Sequence, residues 1–311
     1  MQSTMKKVPL LALAAAAAST GALAQSLPEG VTARGTIELE YVHSTGGFDE
    51  QVAYGDLDLS YRTPDGAGAL GFGFDLGLTA LATTGGRDSA IYAAAVLTTL
   101  WGDYSIGIPR TAFDQQINLP PVVGSRLIDA EFAIGGGSRD FLSSAYLFGS
   151  SHIYGLRYDG SFGALGLSAS LHDSEDLDGY TFQLAGTYGL GNGATLLAGY
   201  ERVDTSGAGT LQSLLLGATL DRNRLDGGLI LGHTSAPFGD TSLARGYIGY
   251  DVTQQLNLRG ELLYRDGTSS QTFYGVGAEF TLPGSGAYIQ GGVLDTDSAD
   301  PILDASLGFR F

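Results

Sequence analysis

The feature that most constrains this chain is an alternation of apolar and polar side chains, sustained through sixteen segments of about ten residues. A β-strand sends successive side chains to opposite faces, so such a segment carries one apolar and one polar face. In 32–42, Ala33, Gly35, Ile37, Leu39 and Tyr41 share one parity, and Thr32, Arg34, Thr36, Glu38 and Glu40 share the other. In 51–62, Gly55, Leu57, Leu59 and Tyr61 oppose Tyr54, Asp56, Asp58, Ser60 and Arg62. The last nine residues set Leu303, Ala305, Leu307, Phe309 and Phe311 against Asp304, Ser306, Gly308 and Arg310. The other segments are 69–81, 88–101, 104–109, 150–158, 164–172, 180–189, 194–204, 211–220, 225–233, 242–250, 255–265, 272–282 and 287–294. In water, so many apolar faces would make one continuous apolar patch, which argues against a soluble sandwich or propeller. The predicted fold is all-β: a transmembrane antiparallel β-barrel of sixteen strands, with apolar residues outward and polar residues toward a lumen.

The connections alternate in kind. Short ones fall at 63–68, 102–103, 159–163, 191–193, 221–224, 251–254 and 283–286, and longer ones at 43–50, 82–87, 110–149, 173–179, 205–210, 234–241, 266–271 and 295–302. Tight turns on one rim and longer loops on the other are the habit of bacterial outer-membrane barrels. Aromatics of the apolar parity gather at segment ends. Tyr61, Trp101, Tyr158, Tyr188, Tyr250, Phe280 and Phe311 fall at the tight-turn rim, and Tyr41, Tyr180, Tyr200, Tyr264 and Tyr274 toward the other. Two aromatic girdles at the bilayer interfaces account for this.

Residues 1–24 read as a secretory signal peptide: Lys6 and Lys7, an apolar run from Val8 to Ala18, then Ala22-Leu23-Ala24 as a small-x-small cleavage site. Residues 25–311 then form the barrel domain. Those two lysines are the only ones, so 16 − 2 = 14 basic residues face 33 acids in the remainder, a net charge of −19. Nucleic acid is therefore excluded as a partner, and small cations are favoured as passengers. There is no cysteine, hence no disulfide. His43, His152, His172 and His233 lack metal-ligand spacing. No nucleophile elbow precedes a helix. The residues point to no enzyme and to no required cofactor.

One connection is abnormally long. Residues 110–149 contain no clear strand, and a loop of that length inside a compact fold is usually functional. Ile117–Pro121 and Ile128–Ile134 are apolar enough to pack, and Asp114, Asp129, Glu131 and Asp140 are acidic. The loop is expected to fold into the lumen and narrow it.

These features resemble the trimeric sixteen-stranded general diffusion porins of Gram-negative outer membranes, over all of residues 25–311. The terminal Leu307-Gly308-Phe309-Arg310-Phe311 carries the resemblance. So does Trp101-Gly102-Asp103-Tyr104-Ser105-Ile106-Gly107, which is similar to the family's Gly-x-x-x-x-Gly strand entering the long third loop. Phe113-Asp114 resembles the aromatic–acid pair that follows, and where the family often has Gly-Arg this chain has Gly107-Ile108-Pro109-Arg110. The resemblance implies a homotrimer in outer-membrane lipid and lipopolysaccharide, and a third loop whose acids face wall arginines. Asp114, Asp129 and Glu131 are then the constriction acids, and Arg110, Arg34, Arg62, Arg259 and Arg310 the facing arginines. Arg34, Arg62 and Arg310 are expected to form a ladder near the tight-turn rim, because the first, second and last strands meet when the barrel closes. Lumen-parity acids outnumber lumen arginines, and a ring of carboxylates favours cations.

Two loops are dense in acids: Asp173, Glu175, Asp176 and Asp178, and Asp295, Asp297 and Asp300. Alternate carboxylates can share Ca²⁺, although neither run has the EF-hand pattern and a solvated surface is the competing reading. The function implied is passive diffusion of small hydrophilic solutes and ions with cation preference. A substrate-selective channel, for sugars for example, would instead need aromatics stacked along the lumen. A non-channel barrel, enzyme or adhesin, would need a catalytic cluster or long outer loops.

Overall fold

The computed structural model describes residues 27–63, 70–123, 125–127, 152–175, 178–207, 209–237, 239–297 and 300–311. The expected signal peptide, Asp129, Glu131, Asp140 and Asp176 lie outside the described residues. The strands are β1 (Val31–Ser44), β2 (Phe48–Arg62), β3 (Leu70–Ala82), β4 (Arg87–Thr99), β5 (Gly102–Ile108), β6 (Ile153–Phe162), β7 (Leu165–Ser174) and β8 (Gly179–Gly191). They continue with β9 (Ala194–Thr205), β10 (Gly209–Arg222), β11 (Leu225–Ser235), β12 (Thr241–Asp251), β13 (Leu256–Asp266), β14 (Gln271–Thr281), β15 (Ala287–Thr296) and β16 (Ile302–Arg310). Each pairs antiparallel with its sequence neighbours, and β16 pairs with β1 to close the barrel. The seam runs from Thr36 opposite Arg310 to Ser44 opposite Ile302. Beyond it, Gly35 and Phe311 exchange N–H···O bonds of 2.9 and 3.1 Å, so the terminal aromatic is tied into the wall. Closure leaves no unpaired sheet edge.

All sixteen expected segments are strands, with ends moved by a few residues. The reading of 159–163 as a turn is corrected: β6 runs to Phe162, and Gly163 with φ +66° begins the turn. Asp159 and Gly160 mimic a turn in composition, but Asp159 points into the lumen, where Arg157 Nε at 2.6 Å and Ser168 Oγ at 2.7 Å donate to its carboxylate. The reading of 102–103 as a turn shifts likewise, because β5 already begins at Gly102.

The outward face follows the alternation throughout. Phe72, Ile91, Ile106, Leu229, Val276 and Leu307 are exposed, and Trp101 is 72 % exposed at the rim. The lumen face does not follow it. Leu197, Leu215, Ile230, Leu243, Leu263, Phe273 and Leu294 have lumen parity, yet all are buried. They form an apolar belt across β9–β15 on the inside of the barrel, and something inside covers it.

Candidate functional site

The cover is the connection after β5. Gly107, at φ +130°, turns the chain inward at the strand's end, and a Cβ there would press on the Ala93 carbonyl. Pro109 O then accepts from His172 Nε2 at 2.8 Å. Thr111 caps the one-turn helix α1 (Ala112–Gln116) by accepting from the Asp114 N–H at 3.4 Å. Helix N-termini leave N–H groups without partners, and here the wall supplies them. Ala112 N–H donates to Ser170 Oγ at 3.0 Å and Phe113 N–H to Gln183 Oε1 at 3.1 Å. Ala112, Phe113, Ile117 and Leu119 close over Ala185, Leu197, Leu215 and Ile230. Gly199 makes room, since a Cβ there would meet the Phe113 ring at 2.6 Å.

Further on, Pro120 O accepts from Arg245 Nη2 at 2.6 Å, and Val123 N–H donates to Glu261 Oε2 at 2.8 Å. Arg245 and Glu261 are themselves paired at 2.5 Å and fully buried. Val122 and Val123 pack on Leu243, Leu263, Phe273 and Leu294. Val123 holds φ +50°, an outlier for a β-branched residue, against the bare backbone of Gly275, Gly277 and Gly292. The chain then reaches β1. The Ser125 hydroxyl and the Arg126 N–H donate to the Glu40 carboxylate, the second at 2.9 Å. Arg126 Nε donates to Glu38 at 3.2 Å, and its guanidinium lies 4.3 Å over the Tyr54 ring. Tyr288 and Gln290 complete the Glu38 shell at 2.7 Å each. Residues 108–123 and 125–127 are thus laid along the inner wall from β5 past β9–β15 to β1.

The charged groups around this strap are densely paired. Arg110 donates to Asp58 at 2.6 Å, Asp56 at 2.5 Å and Thr79 at 3.0 Å, and sits 4.5 Å over Tyr92. Burial alone would lower its pKa, but Asp56 and Asp58 hold it above the ordinary arginine value, so it stays charged. Arg62 binds Asp75 at 2.7 Å and Asp103 at 3.3 Å, and Arg34 binds Asp58 at 3.1 Å. With Arg110 and Arg157 they line a cavity of about 210 Å³. Arg310 forks onto Glu279 at 2.7 Å for both nitrogens, over the Tyr288 ring, and lines a different, larger cavity with Arg259. The expected ladder of Arg34, Arg62 and Arg310 is therefore divided between two cavities. Asp114, expected to face wall arginines across the pore, is buried because α1 turns it to the wall. Asp114 acts electrostatically on Arg110 of its own loop.

Arg126, Arg157 and Arg245 were not anticipated as lumen groups. Parity could have found two of them: Arg157 alternates with Gly155 and Asp159, and Arg245 with Leu243 and Tyr247. Arg126 lies in a stretch without period. Of the acidic loops, Asp295 accepts from the Tyr274 hydroxyl at 3.1 Å and Asp297 from the Thr272 N–H at 3.3 Å. Asp173, Glu175, Asp178 and Asp300 are exposed. Among the described residues, no three acid, His or Cys side chains converge as a cation site.

No protein-family model and no curated protein matches the sequence. Solved structures match the fold. A refined porin structure superposes with a TM-score of 0.62 at 18 % identity, covering 90 % of this chain and 100 % of that one. A structure described under the asymmetric conductivity of engineered proteins gives 0.63 at 19 % identity with the same coverage. A variant of the Rh. blastica porin gives 0.63 at 18 %, again over 90 % of this chain and 100 % of that one. The barrel has the porin fold.

Proposed function

We propose that the protein is an outer-membrane porin: a water-filled channel through which small hydrophilic solutes and ions diffuse passively, with a preference for cations. The observation that carries this reading is the strap, residues 108–123 and 125–127, held against the inner wall of a closed sixteen-stranded barrel. A barrel of this size encloses an aqueous lumen, and the strap narrows it without filling it. Open space of about 630 Å³ remains beneath it, lined by five acids (Asp56, Asp221, Asp226, Asp251, Glu279) and three arginines (Arg126, Arg259, Arg310). That excess of carboxylate supports cation preference. The outward apolar face suits bilayer lipid, and part of it suits two further copies in a homotrimer. Lipopolysaccharide with Ca²⁺ at the loops dense in acids belongs to the same reading, with Arg34, Arg62, Arg110, Arg259 and Arg310 as wall cations and Asp114, Asp129 and Glu131 as loop acids.

A sugar-selective channel is less well supported. Tyr54, Tyr92 and Tyr288 have lumen parity, but each is buried beneath an arginine rather than presented in a row. The deciding experiment is reconstitution in planar bilayers across a KCl gradient. Ohmic unitary steps with a cation-selective reversal potential are expected. Absence of steps would refute the channel, and an anion-selective potential would refute the preference.

A further inference from the structure

Beneath the strap, on the side of the short turns, two charges on the wall of the 630 Å³ cavity are held differently from the rest. Arg126 and Arg310 engage their carboxylates at 3.2 and 2.7 Å. Arg259 meets Asp226 at 3.7 Å, the longest ion pair among the described residues, and its Nε is buried without a hydrogen-bond partner there. Asp226 is equally under-used. Its Oδ1 receives Asn257 Nδ2 at 3.4 Å, while that amide sits closer to Asp251, at 2.9 Å.

The strand register explains the looseness. Arg259 on β13 stands directly opposite Gly249 of β12 and Gly277 of β14, so no side chain faces it across either strand pair, and Tyr247 and Glu279 act on it only from two residues along. Asp226, opposite Gly249 on β11, leans over that glycine toward Arg259. Val123 of the strap lies over Gly277 on the other side. The result is a side-by-side cation and anion under the edge of the constriction. Both are partly exposed to the cavity, and neither is saturated.

We infer that Arg259 and Asp226 form a subsite for small zwitterionic solutes of the α-amino-acid type, with the solute carboxylate on Arg259 and its ammonium on Asp226. The inference rests on the channel reading. Adjacent opposite charges on the wall match adjacent opposite charges on such a solute, and both contacts are charge-assisted hydrogen bonds. The acidic barrel repels a free anion before it reaches Arg259, and a free cation meets Arg259 beside Asp226. A zwitterion carries neither penalty.

The test is solute flux into proteoliposomes by swelling, comparing alanine with lactamide, its uncharged isomer of the same mass, and with lactate. Alanine flux should exceed lactamide flux at low concentration and saturate, while lactamide flux stays linear. Arg259→Gln and Asp226→Asn should each lower the alanine-to-lactamide ratio about two- to five-fold, the effect of one solvent-exposed charge contact. Both variants remove the 3.7 Å pair, and Arg259→Gln also removes a charge that acts on Glu279; neither residue is one of the strap's anchors. Equal behaviour of alanine and lactamide in the parent would overturn the inference while leaving the channel standing. Lactate saturating as alanine does, with Arg259→Gln effective and Asp226→Asn silent, would also overturn it in favour of a plain carboxylate site. No flux of any solute would sink the channel reading and the subsite with it.

Discussion

The two ends of the strap are held by different physics. At its start, α1 and Ile117 are seated by burial. The Phe113 ring, Ile117 and Leu119 close over Leu197, Leu215 and Ile230, and Gly199 admits the ring. At its far end, Ser125 and Arg126 are bonded to carboxylates, Glu40 for the hydroxyl and backbone N–H and Glu38 for the guanidinium, which also lies over the Tyr54 ring. Apolar burial scales with area and has no charge for ions to screen, whereas charged contacts are weakened by ions that reach them. On the channel reading the lumen carries ions, and because Glu38, Glu40 and Arg126 are buried the screening of their contacts is partial. The seat should therefore set where the constriction is, and the latch should set how still it stays.

Breaking the seat should have the largest effect. Phe113→Ala removes a ring that is 2 % exposed, and emptying such a site costs about 3–5 kcal/mol. That is enough to free the start of the strap from the wall. Unitary conductance should rise in every channel, at low and at high salt alike. An unchanged conductance would mean that the strap does not bound the passage.

Opening the latch should act differently. Glu40→Gln keeps the shape but replaces a carboxylate that takes bonds from Ser125 and Arg126. Each hydrogen bond to a charged group contributes about 1.5–3 kcal/mol. The mean conductance should change little, and current fluctuations between substates should increase. Raising the salt should produce weaker fluctuations of the same kind in the parent and a smaller further increase in Glu40→Gln, where only the Arg126–Glu38 pair is left to be screened. A steady current in the variant at all salt concentrations would remove the distinction between seat and latch.

The contrast also explains what could be read from the sequence. The outward face was legible because every strand meets the same demand, so Leu70, Phe72, Phe74 and Leu76 keep one parity without exception. The seam was legible for the same reason, and Phe311 is where the alternation ends. The lumen face answers to two demands: water where the pore is open and the strap where it is covered. Leu215, Ile230 and Leu263 break the polar parity because the strap lies on them, and they were not singled out from the sequence. Glu40 was visible as a lumen acid. Its partner Ser125 lies 85 residues away in a stretch with no period, and only the folded path of the strap brings them together. Asp114 was chosen for its charge, but a single turn of helix decides which way it points.

The smallest effect gives the sharpest comparison. Ser125→Ala removes one hydroxyl from Glu40 and leaves the Arg126 N–H in place at 2.9 Å, a loss of about 1.5–3 kcal/mol for that single bond. On its own it should raise substate occupancy only modestly. Combined with Glu40→Gln, the two effects should fall short of additive, because both report on one contact, and the coupling read from substate occupancies should be about 0.5–3 kcal/mol. Combined with Phe113→Ala, the effects should add within about 0.5 kcal/mol, because the two sites share no partner. Phe113 N–H bonds Gln183 on β8, and Ser125 bonds Glu40 on β1. Strong coupling between Ser125 and Phe113 would mean that the strap moves as one rigid piece, and that seat and latch are two names for a single anchorage.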